Sequence, residues 1–191
     1  YINYGYNERE KMLLQNIELY ETNQFQYLLI HKNGSSSVVK SIENLNAIVT
    51  NKVNLNKIKW TVIRDPYERF IAGLKYDLSR HSLNIKDINY SSLHNSNVNL
   101  ITRDKGNVNH TASQVPYLIN THIDWYIELK DLHTFLKMHF GIVEYCNIDK
   151  NNIELNLDKE EIMKYLNLDY YVYNNIINSP NLWKWQQGKI F

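Results

Sequence analysis

Residues 27–40 read Tyr-Leu-Leu-Ile-His-Lys-Asn-Gly-Ser-Ser-Ser-Val-Val-Lys, an apolar run followed by a loop of small polar residues and a helix-like segment. The apolar run Tyr27–Ile30 predicts a strand that is buried on both faces of a parallel sheet. Gly34 and the three serines after it predict a tight turn into a helix over Ser36–Leu45, and the unpaired N–H groups at a helix start bind phosphate. Lys32 adds a mobile positive charge at the rim of this turn. The stretch therefore predicts an anion-binding loop, with an ordinary strand–turn–helix corner as the alternative.

The order of residues in this loop excludes the nucleoside-triphosphate P-loop. That motif reads G-x-x-x-x-G-K-[ST], so its lysine follows the last glycine. Here Lys32 precedes Gly34, and no glycine stands four to six residues upstream, where the motif needs its first one.

The composition predicts one globular domain spanning residues 1–191, because a chain of this length buries a large core without disulfides. Hydrophobic residues make up 43% of the chain, and the net charge of +1 gives no overall attraction to nucleic acid or to a membrane surface. Any anion site must therefore be local. The single cysteine, Cys146, excludes an intrachain disulfide and a cysteine-based zinc site. No apolar run reaches transmembrane length, so we expect no spanning segment. We also expect no metal site, and the sequence favours a cytoplasmic location without fixing it.

Short-range patterns predict helices and strands in alternation along the chain. Amphipathic spacing predicts a helix over Asn7–Tyr20, β-branched residues predict a strand over Ile58–Ile63, and Pro66 marks the start of the next helix. Residues 81–109 lack any such pattern and are interpreted as a long loop or lid. The later elements are a helix over Thr111–Asn120, a strand over Ile123–Ile127, a helix over Leu129–Phe140 that ends at Gly141, and a helix over Asp158–Leu166. This order predicts an α/β three-layer domain with a central parallel sheet flanked by helices.

A second motif follows the predicted strand Ile58–Ile63 and reads Arg64-Asp65-Pro66-Tyr67-Glu68-Arg69. Together with the loop His31–Ser37 it resembles the two cofactor signatures of sulfotransferases that use 3′-phosphoadenosine 5′-phosphosulfate (PAPS), in particular the carbohydrate sulfotransferases. In that family a Lys-x-Gly-[Ser/Thr]-[Ser/Thr] loop grips the 5′-phosphosulfate, and an Arg-Asp-Pro-x-x-Arg segment grips the 3′-phosphate. Both motifs occur here in the family order, about 30 residues apart, which is typical of one βαβ passage.

Two later phrases extend the resemblance. They are His110-Thr111-Ala112-Ser113-Gln114 and Ile123-Asp124-Trp125, which are similar to the family's His-x-x-x-Gln and Ile-Asp-Phe region. The resemblance implies a P-loop-like sulfotransferase fold whose cofactor core covers residues 26–141, followed by a C-terminal helical region at residues 142–191.

The resemblance also implies roles for individual residues. Lys32 stabilises the leaving oxygen as it becomes negative, and Arg64 holds the 3′-phosphate with its planar fork. The acceptor hydroxyl needs a general base, for which His110 is the first candidate because the family-like region contains it. The 5′-phosphate is held by the N–H groups of the loop, which belong to Asn33, Gly34, Ser35, Ser36 and Ser37. The other candidates for the base are His81, His94 and Glu128.

The segment that follows the second motif departs from the family pattern at position 72. The family usually carries a serine at that position as a ligand of the 3′-phosphate, whereas this chain has Ala72. One hydrogen bond to the 3′-phosphate is then missing unless Ser79 or the backbone supplies it. The second arginine of the motif, Arg69, is interpreted as structural and is expected to pair with Asp65 or Glu68 across a helical turn.

The sequence therefore predicts a sulfotransferase that moves the sulfuryl group from PAPS to an acceptor hydroxyl on a carbohydrate, by in-line displacement. Its predicted partners are the nucleotide co-substrate and a glycan acceptor, without nucleic acid. Two alternatives stay open: a non-catalytic nucleotide-binding protein of the same fold, which Ala72 favours, and a nucleotide-dependent kinase. The kinase is disfavoured by the order of Lys32 and Gly34 and by the lack of an evident Mg²⁺-binding carboxylate after a strand.

Overall fold

The computed structural model describes residues 17–81, 110–111, 113–141, 155, 157–184, 186 and 188. The strands in these ranges are β1 (Leu19–Glu21), β2 (Phe25–Leu28), β3 (Ile48–Thr50), β4 (Ile58–Ile63) and β5 (Trp125–Glu128). The α-helices are α1 (Ser35–Ile42), α2 (Pro66–His81), α3 (Val115–Asn120), α4 (Leu132–Phe140), α5 (Lys159–Tyr165) and α6 (Asn167–Ile177). Short 3₁₀ turns at Glu43–Leu45 and Leu129–Asp131 adjoin α1 and α4.

The five strands form one mixed sheet in the order β3-β1-β2-β4-β5. The strands β2, β4 and β5 are parallel to one another, as predicted, but β1 and β3 are antiparallel to their neighbours. The prediction of a wholly parallel sheet is therefore wrong. Its cause is the tight turn at Thr22, whose N–H donates to the carbonyl of Phe25 at 2.9 Å and returns the chain as a hairpin.

The start of the sheet also corrects the predicted helix Asn7–Tyr20. Residues 7–16 lie outside the described part of the chain, but Leu19–Glu21 form β1 instead of the end of a helix. Leu19 is fully buried and Tyr20 is half-buried, which fits the two-residue period of a strand. The helical spacing was misleading because the turn at Thr22, which pairs β1 with β2 as a hairpin, was not recognised in the sequence.

Every residue of β2 is buried, because helices cover both faces of the sheet. On one face, Phe25 and Tyr27 pack with Trp60 and with side chains of α1 and α4. On the other face, Leu28 packs with side chains of α3 and α6. The coarse prediction of an α/β domain with helices flanking a sheet is confirmed.

Most element bounds agree with the sequence patterns. The strand β4 spans the predicted residues, α2 begins at Pro66, and α4 ends at Gly141, whose N–H donates to the carbonyl of Lys137 at 3.1 Å from a left-handed conformation (φ 75°). The predicted helix Thr111–Asn120 is shorter, since α3 begins at Val115. The predicted strand Ile123–Ile127 lies later, at Trp125–Glu128.

Some predictions fall on residues outside the described ranges. They include nearly all of the long loop 81–109, the residue His94 and the residue Cys146. The C-terminal region 142–191 contributes α5 and α6 to the described structure. Among the helices that the structure describes, none combines the length and the apolar character needed to cross a membrane.

Candidate anion-binding site

The parallel strands β2, β4 and β5 end at the same edge of the sheet. Leu28 pairs with Thr61 and Ile63 pairs with Glu128, so the segments that follow these strands leave the sheet side by side. The loop with Lys32 follows β2, and Arg64 follows β4. In open α/β sheets the crevice beyond the carboxyl ends of the strands is where ligands bind.

The loop after β2 turns into α1 through Gly34. This residue adopts a left-handed conformation (φ 77°) immediately before the helix and gives it no side-chain cap. The left-handed conformation favours glycine at this position, and an added Cβ would lie 2.6 Å from Cδ2 of Leu132 and 2.8 Å from Cδ1 of Leu129, so both leucine side chains would have to shift. The first turn of α1 carries no acidic residue. The start of α1 therefore has the backbone geometry and the charge that favour an anion.

The N–H groups of the loop divide into two sets. The N–H of Asn33 donates to the carbonyl of Ile30 at 3.3 Å, and the N–H of Ser37 donates to the carbonyl of Gly34 at 3.1 Å. Both ends of the predicted set thus have partners within the loop. The N–H groups of Gly34, Ser35 and Ser36 form the second set, which lies at the start of α1 before the first hydrogen bond of the helix.

A buried chain of amides joins the three segments that the sequence singled out. The side-chain nitrogen of Asn33, which is fully buried, donates to the carbonyl of Val62 at 2.7 Å and to Oε1 of Gln114 at 3.1 Å. Gln114, also fully buried, donates to the carbonyl of Arg64 at 3.1 Å. Its own N–H donates to Asp169 on α6 at 3.1 Å. The chain fixes the loop, the start of the second motif and the third region relative to one another.

Lys32 lies at the rim of this loop in a left-handed conformation (φ 64°), which is uncommon for a residue with a side chain. Its carbonyl accepts a hydrogen bond from Nη1 of Arg64 at 3.2 Å. Its ammonium nitrogen lies 3.4 Å from the ring centroid of Tyr76, over the face of the ring. Lys32 of the loop and Arg64 of the second motif are thus in direct contact, and the ring of Tyr76 on α2 holds the lysine side chain.

The ring of Tyr76 also contacts His110, with 4.4 Å between the ring centroids. The backbone of His110 lies against Gly73, where an added Cβ would lie only 2.6 Å from its carbonyl carbon. Glycine at this position therefore allows the segment with His110 to approach α2. The structure brings the two predicted catalytic residues, Lys32 and His110, to the same aromatic ring.

His31 precedes Lys32 in the loop, and the centroid of its ring lies 5.6 Å from the ring centroid of His110. Burial lowers the pKa of His31 to about 4, and the positive charges of Arg69 and Lys32 together with His110 act in the same direction. His31 is therefore neutral near neutral pH.

Arg69 supports the loop from below. It is buried on α2, and its Nε donates to the carbonyl of His31 at 3.1 Å. The expected partners within its own helix are engaged elsewhere, because Glu68 lies 3.6 Å from Nε of Arg64 and Asp65 accepts a hydrogen bond from a tyrosine of α6. Arg69 has the predicted structural character, but it reaches out of its helix to the loop.

One face of α2 borders a surface pocket of about 210 Å³, which Arg64 also lines. Arg64 connects this pocket to the loop through its hydrogen bond to the carbonyl of Lys32. The described residues that line this pocket lie on one face of α2, except for Arg64, which lies just before the helix. They are Arg64, Tyr67, Glu68, Ile71, Ala72 and Lys75. Arg64 and Ala72, which the resemblance assigns to the same phosphate, thus face the same space. Ser79 is outside this set, and its hydroxyl donates to the carbonyl of Tyr76 at 2.9 Å.

The other candidates for a general base are less well situated. Glu128 accepts a hydrogen bond from Tyr173 at 2.9 Å and pairs with Lys130 at 2.7 Å. The side chain of His81 and the whole of His94 lie outside the description. Among the described residues, no group of three metal-ligating side chains lies close enough to hold an ion.

Sequence reasoning gave no role to Tyr76, Gln114 or Lys75. Gln114 stood within a quoted motif, whereas nothing in the local pattern marks Tyr76 or Lys75. No protein-family model, curated protein or solved structure matches this chain.

Proposed function

We propose that this protein transfers the sulfuryl group of PAPS to an acceptor hydroxyl on a carbohydrate, and that its helices and sheet form a P-loop-like sulfotransferase fold. The observation that supports this proposal best is the buried amide chain from Asn33 through Gln114 to Arg64. Three motifs that are separate in the sequence, and that resemble one family in their order, share a single hydrogen-bonded core. A chance match of short motifs gives no reason for such convergence.

The residues at this site fit a nucleotide that carries anions at both ends. The helix start at Gly34 suits the 5′-phosphate, and the planar fork of Arg64 beside the pocket on α2 suits the 3′-phosphate. When bound, PAPS supplies an activated sulfuryl group, whose bond to the 5′-phosphate oxygen breaks as its bond to the acceptor oxygen forms. Lys32 places a positive charge near the oxygen that becomes negative.

The acceptor hydroxyl must lose a proton as it attacks. His110 is the residue that we assign to accept it, because its ring lies against the same tyrosine as Lys32. His31 does not suit this role, since its pKa of about 4 makes it a weak base. Gly73 keeps the backbone of His110 close to α2 and so positions its ring.

Two experiments test this function. In the first, thermal unfolding is followed with adenosine 3′,5′-bisphosphate, with AMP and with ATP plus Mg²⁺, each at many times its dissociation constant. A bound ligand at 100 times its dissociation constant adds about 2.7 kcal/mol to the free energy of unfolding. In the second, radiolabelled sulfate is offered as PAPS with a panel of glycans, peptides and small alcohols.

We expect stabilisation by the bisphosphate and label transfer to a glycan. Stabilisation by the bisphosphate without transfer to any acceptor would favour the non-catalytic binding protein. Stabilisation by ATP with Mg²⁺, but not by the bisphosphate or by AMP, would instead favour the kinase and overturn the proposal.

A further inference from the structure

Lys75 is a pocket residue to which the family resemblance gives no role. It lies on α2 three residues after Ala72, which is close to one helical turn, so both side chains point to the same side of the helix. Both line the pocket together with Arg64, and the side chain of Lys75 is half-buried. The pocket is therefore lined by two cations, Arg64 before the helix and Lys75 on it, and by the small side chain of Ala72.

The charges around this pocket favour an anion. The described lining residues include two cations, Arg64 and Lys75, and one carboxylate, Glu68. The carboxylate lies 3.6 Å from Nε of Arg64 and its side chain is 65% exposed, so it is free to turn toward solvent when an anion arrives. Arg64 is already fixed at the loop by its bond to the carbonyl of Lys32. Lys75 is the second cation of the lining, and its flexible four-carbon stem allows it to reach a ligand in the pocket.

We propose that Lys75 is a specificity-determining residue that binds the 3′-phosphate of the nucleotide opposite Arg64, in place of the hydroxyl that Ala72 lacks. The inference rests on the proposed function, because it assumes that this nucleotide is the ligand. A lysine reaches past the methyl group of Ala72 on its four-carbon stem and brings a full positive charge. A hydrogen bond between charged partners is stronger than one from a serine hydroxyl, so Lys75 offsets part of what the missing serine would contribute.

The test compares two nucleotides that differ only in the 3′-phosphate. Isothermal titration calorimetry measures the dissociation constants of adenosine 3′,5′-bisphosphate and of AMP for the wild-type protein and for Lys75→Gln. We expect the preference for the bisphosphate to fall about 10- to 100-fold in Lys75→Gln, while the affinity for AMP stays within twofold. The matched control is Lys137→Gln, which removes an exposed lysine from α4 and should keep the wild-type preference.

A second variant separates loss of the charge from damage to the helix. In the Lys75→Gln background, Ala72→Ser should recover part of the lost preference, because the serine hydroxyl restores a donor at the same pocket. An unchanged affinity for AMP shows that the loop remains folded. Should Lys75→Gln lose AMP binding as well, Lys75→Arg takes its place, and an arginine that keeps the preference supports the charge as the cause.

The outcomes distinguish this inference from the function on which it rests. If the wild-type protein binds the two nucleotides equally, both the proposed function and the inference are overturned. If the wild-type protein prefers the bisphosphate and Lys75→Gln keeps the whole of that preference, the inference alone is wrong, and Arg64 reads the 3′-phosphate without Lys75.

Discussion

The loop after β2 and the pocket face of α2 are the two parts of the proposed nucleotide site, and they are built differently. The loop offers backbone N–H groups, and its shape depends on a fully buried amide at Asn33 and on a glycine enclosed by Leu132 and Leu129. The pocket offers side chains, and those of Arg64 and Glu68 are partly exposed. Variants of the loop should therefore change folding and turnover together. Variants of the pocket should change the choice of nucleotide and leave the fold intact.

The largest effect is expected where the loop carries its charge. Lys32→Ala should lower turnover about 10²- to 10³-fold with a much smaller change in nucleotide affinity, because the charge is needed chiefly as the leaving oxygen becomes negative. Position 32 has a φ of 64°, a left-handed conformation that is as unfavourable for alanine as for lysine, so the substitution should not change the backbone strain at this position. Steady-state sulfate transfer measures the effect, with Lys40→Ala, on the exposed side of α1, as the control. A Lys32→Ala enzyme within threefold of wild type would remove the lysine from the chemistry.

The next effect tests the buried half of the comparison. Asn33→Ala leaves the carbonyl of Val62 and the side chain of Gln114 without a donor, and each buried group left unsatisfied costs about 1–3 kcal/mol. We expect a loss of this order in the free energy of unfolding, measured by urea denaturation. The control is Asn175→Ala, which removes an exposed hydrogen bond to Tyr171 on α6 and should change stability by less than about 0.5 kcal/mol. Equal losses in the two variants would mean that Asn33 does not fix the loop.

The same contrast decides how much of the molecule the sequence could predict. Features set by neighbouring residues were predicted well: the β-branched run of β4, the start of α2 at Pro66, and the end of α4 at Gly141. The helix-start loop at Gly34 also belongs to this group. Features that depend on an unrecognised turn or on a later strand were not, such as β1, which pairs with β2 through the tight turn at Thr22 and with β3 further along the chain.

The candidate site shows this limit residue by residue. The sequence indicated Gln114 as part of a motif, but its hydrogen bonds to Asn33 and Arg64 join segments that are 81 and 50 residues away from it, respectively. Tyr76 and Lys75 carry no local signal, because their place in the site follows from the rotation of α2 against the sheet. Ala72 was the exception, since a departure from a family pattern is visible without a structure.

On the pocket side, Arg64→Ala should weaken the 3′-phosphorylated nucleotide by about 1.5–3 kcal/mol and leave the affinity for AMP nearly unchanged. The loss reflects one charged hydrogen-bonding partner of the phosphate. Because Arg64 also donates to the carbonyl of Lys32, the unfolding free energy is measured alongside by urea denaturation. Equal losses of affinity for the two nucleotides in calorimetry would mean that Arg64 supports the loop and does not select the ligand.

The loop should also show a pH dependence of its stability. His31 has a folded-state pKa of about 4, below its ordinary value of 6.5, so the unfolded chain binds the proton more readily. The neutral histidine therefore contributes stability that is present above about pH 6.5 and is lost as the pH falls toward 4, by at most about 1.4 kcal/mol per pH unit. Thermal unfolding between pH 7 and pH 4.5 should show a shallower decline for His31→Phe than for the wild-type protein. Parallel declines would assign the acid sensitivity to other groups.

The smallest effect is expected when Ala72 is replaced by the serine that the carbohydrate sulfotransferases usually carry at this position. Ala72→Ser adds one hydroxyl on the pocket wall, where Ala72 is half-buried and outside the core, so the fold should tolerate it. If the 3′-phosphate lies between Arg64 and residue 72, affinity for the bisphosphate should rise by roughly 0.5–1.5 kcal/mol, the net value of one hydrogen bond, with no change for AMP. In the wild-type background Lys75 competes for the same phosphate oxygens, so the gain should be smaller there than in Lys75→Gln, and calorimetry on the four combinations measures that coupling. A gain that is equal in both backgrounds would place the lysine and the serine on different parts of the ligand. A loss of affinity, in contrast, would mean that the hydroxyl lacks a partner and that the phosphate binds away from this face of α2.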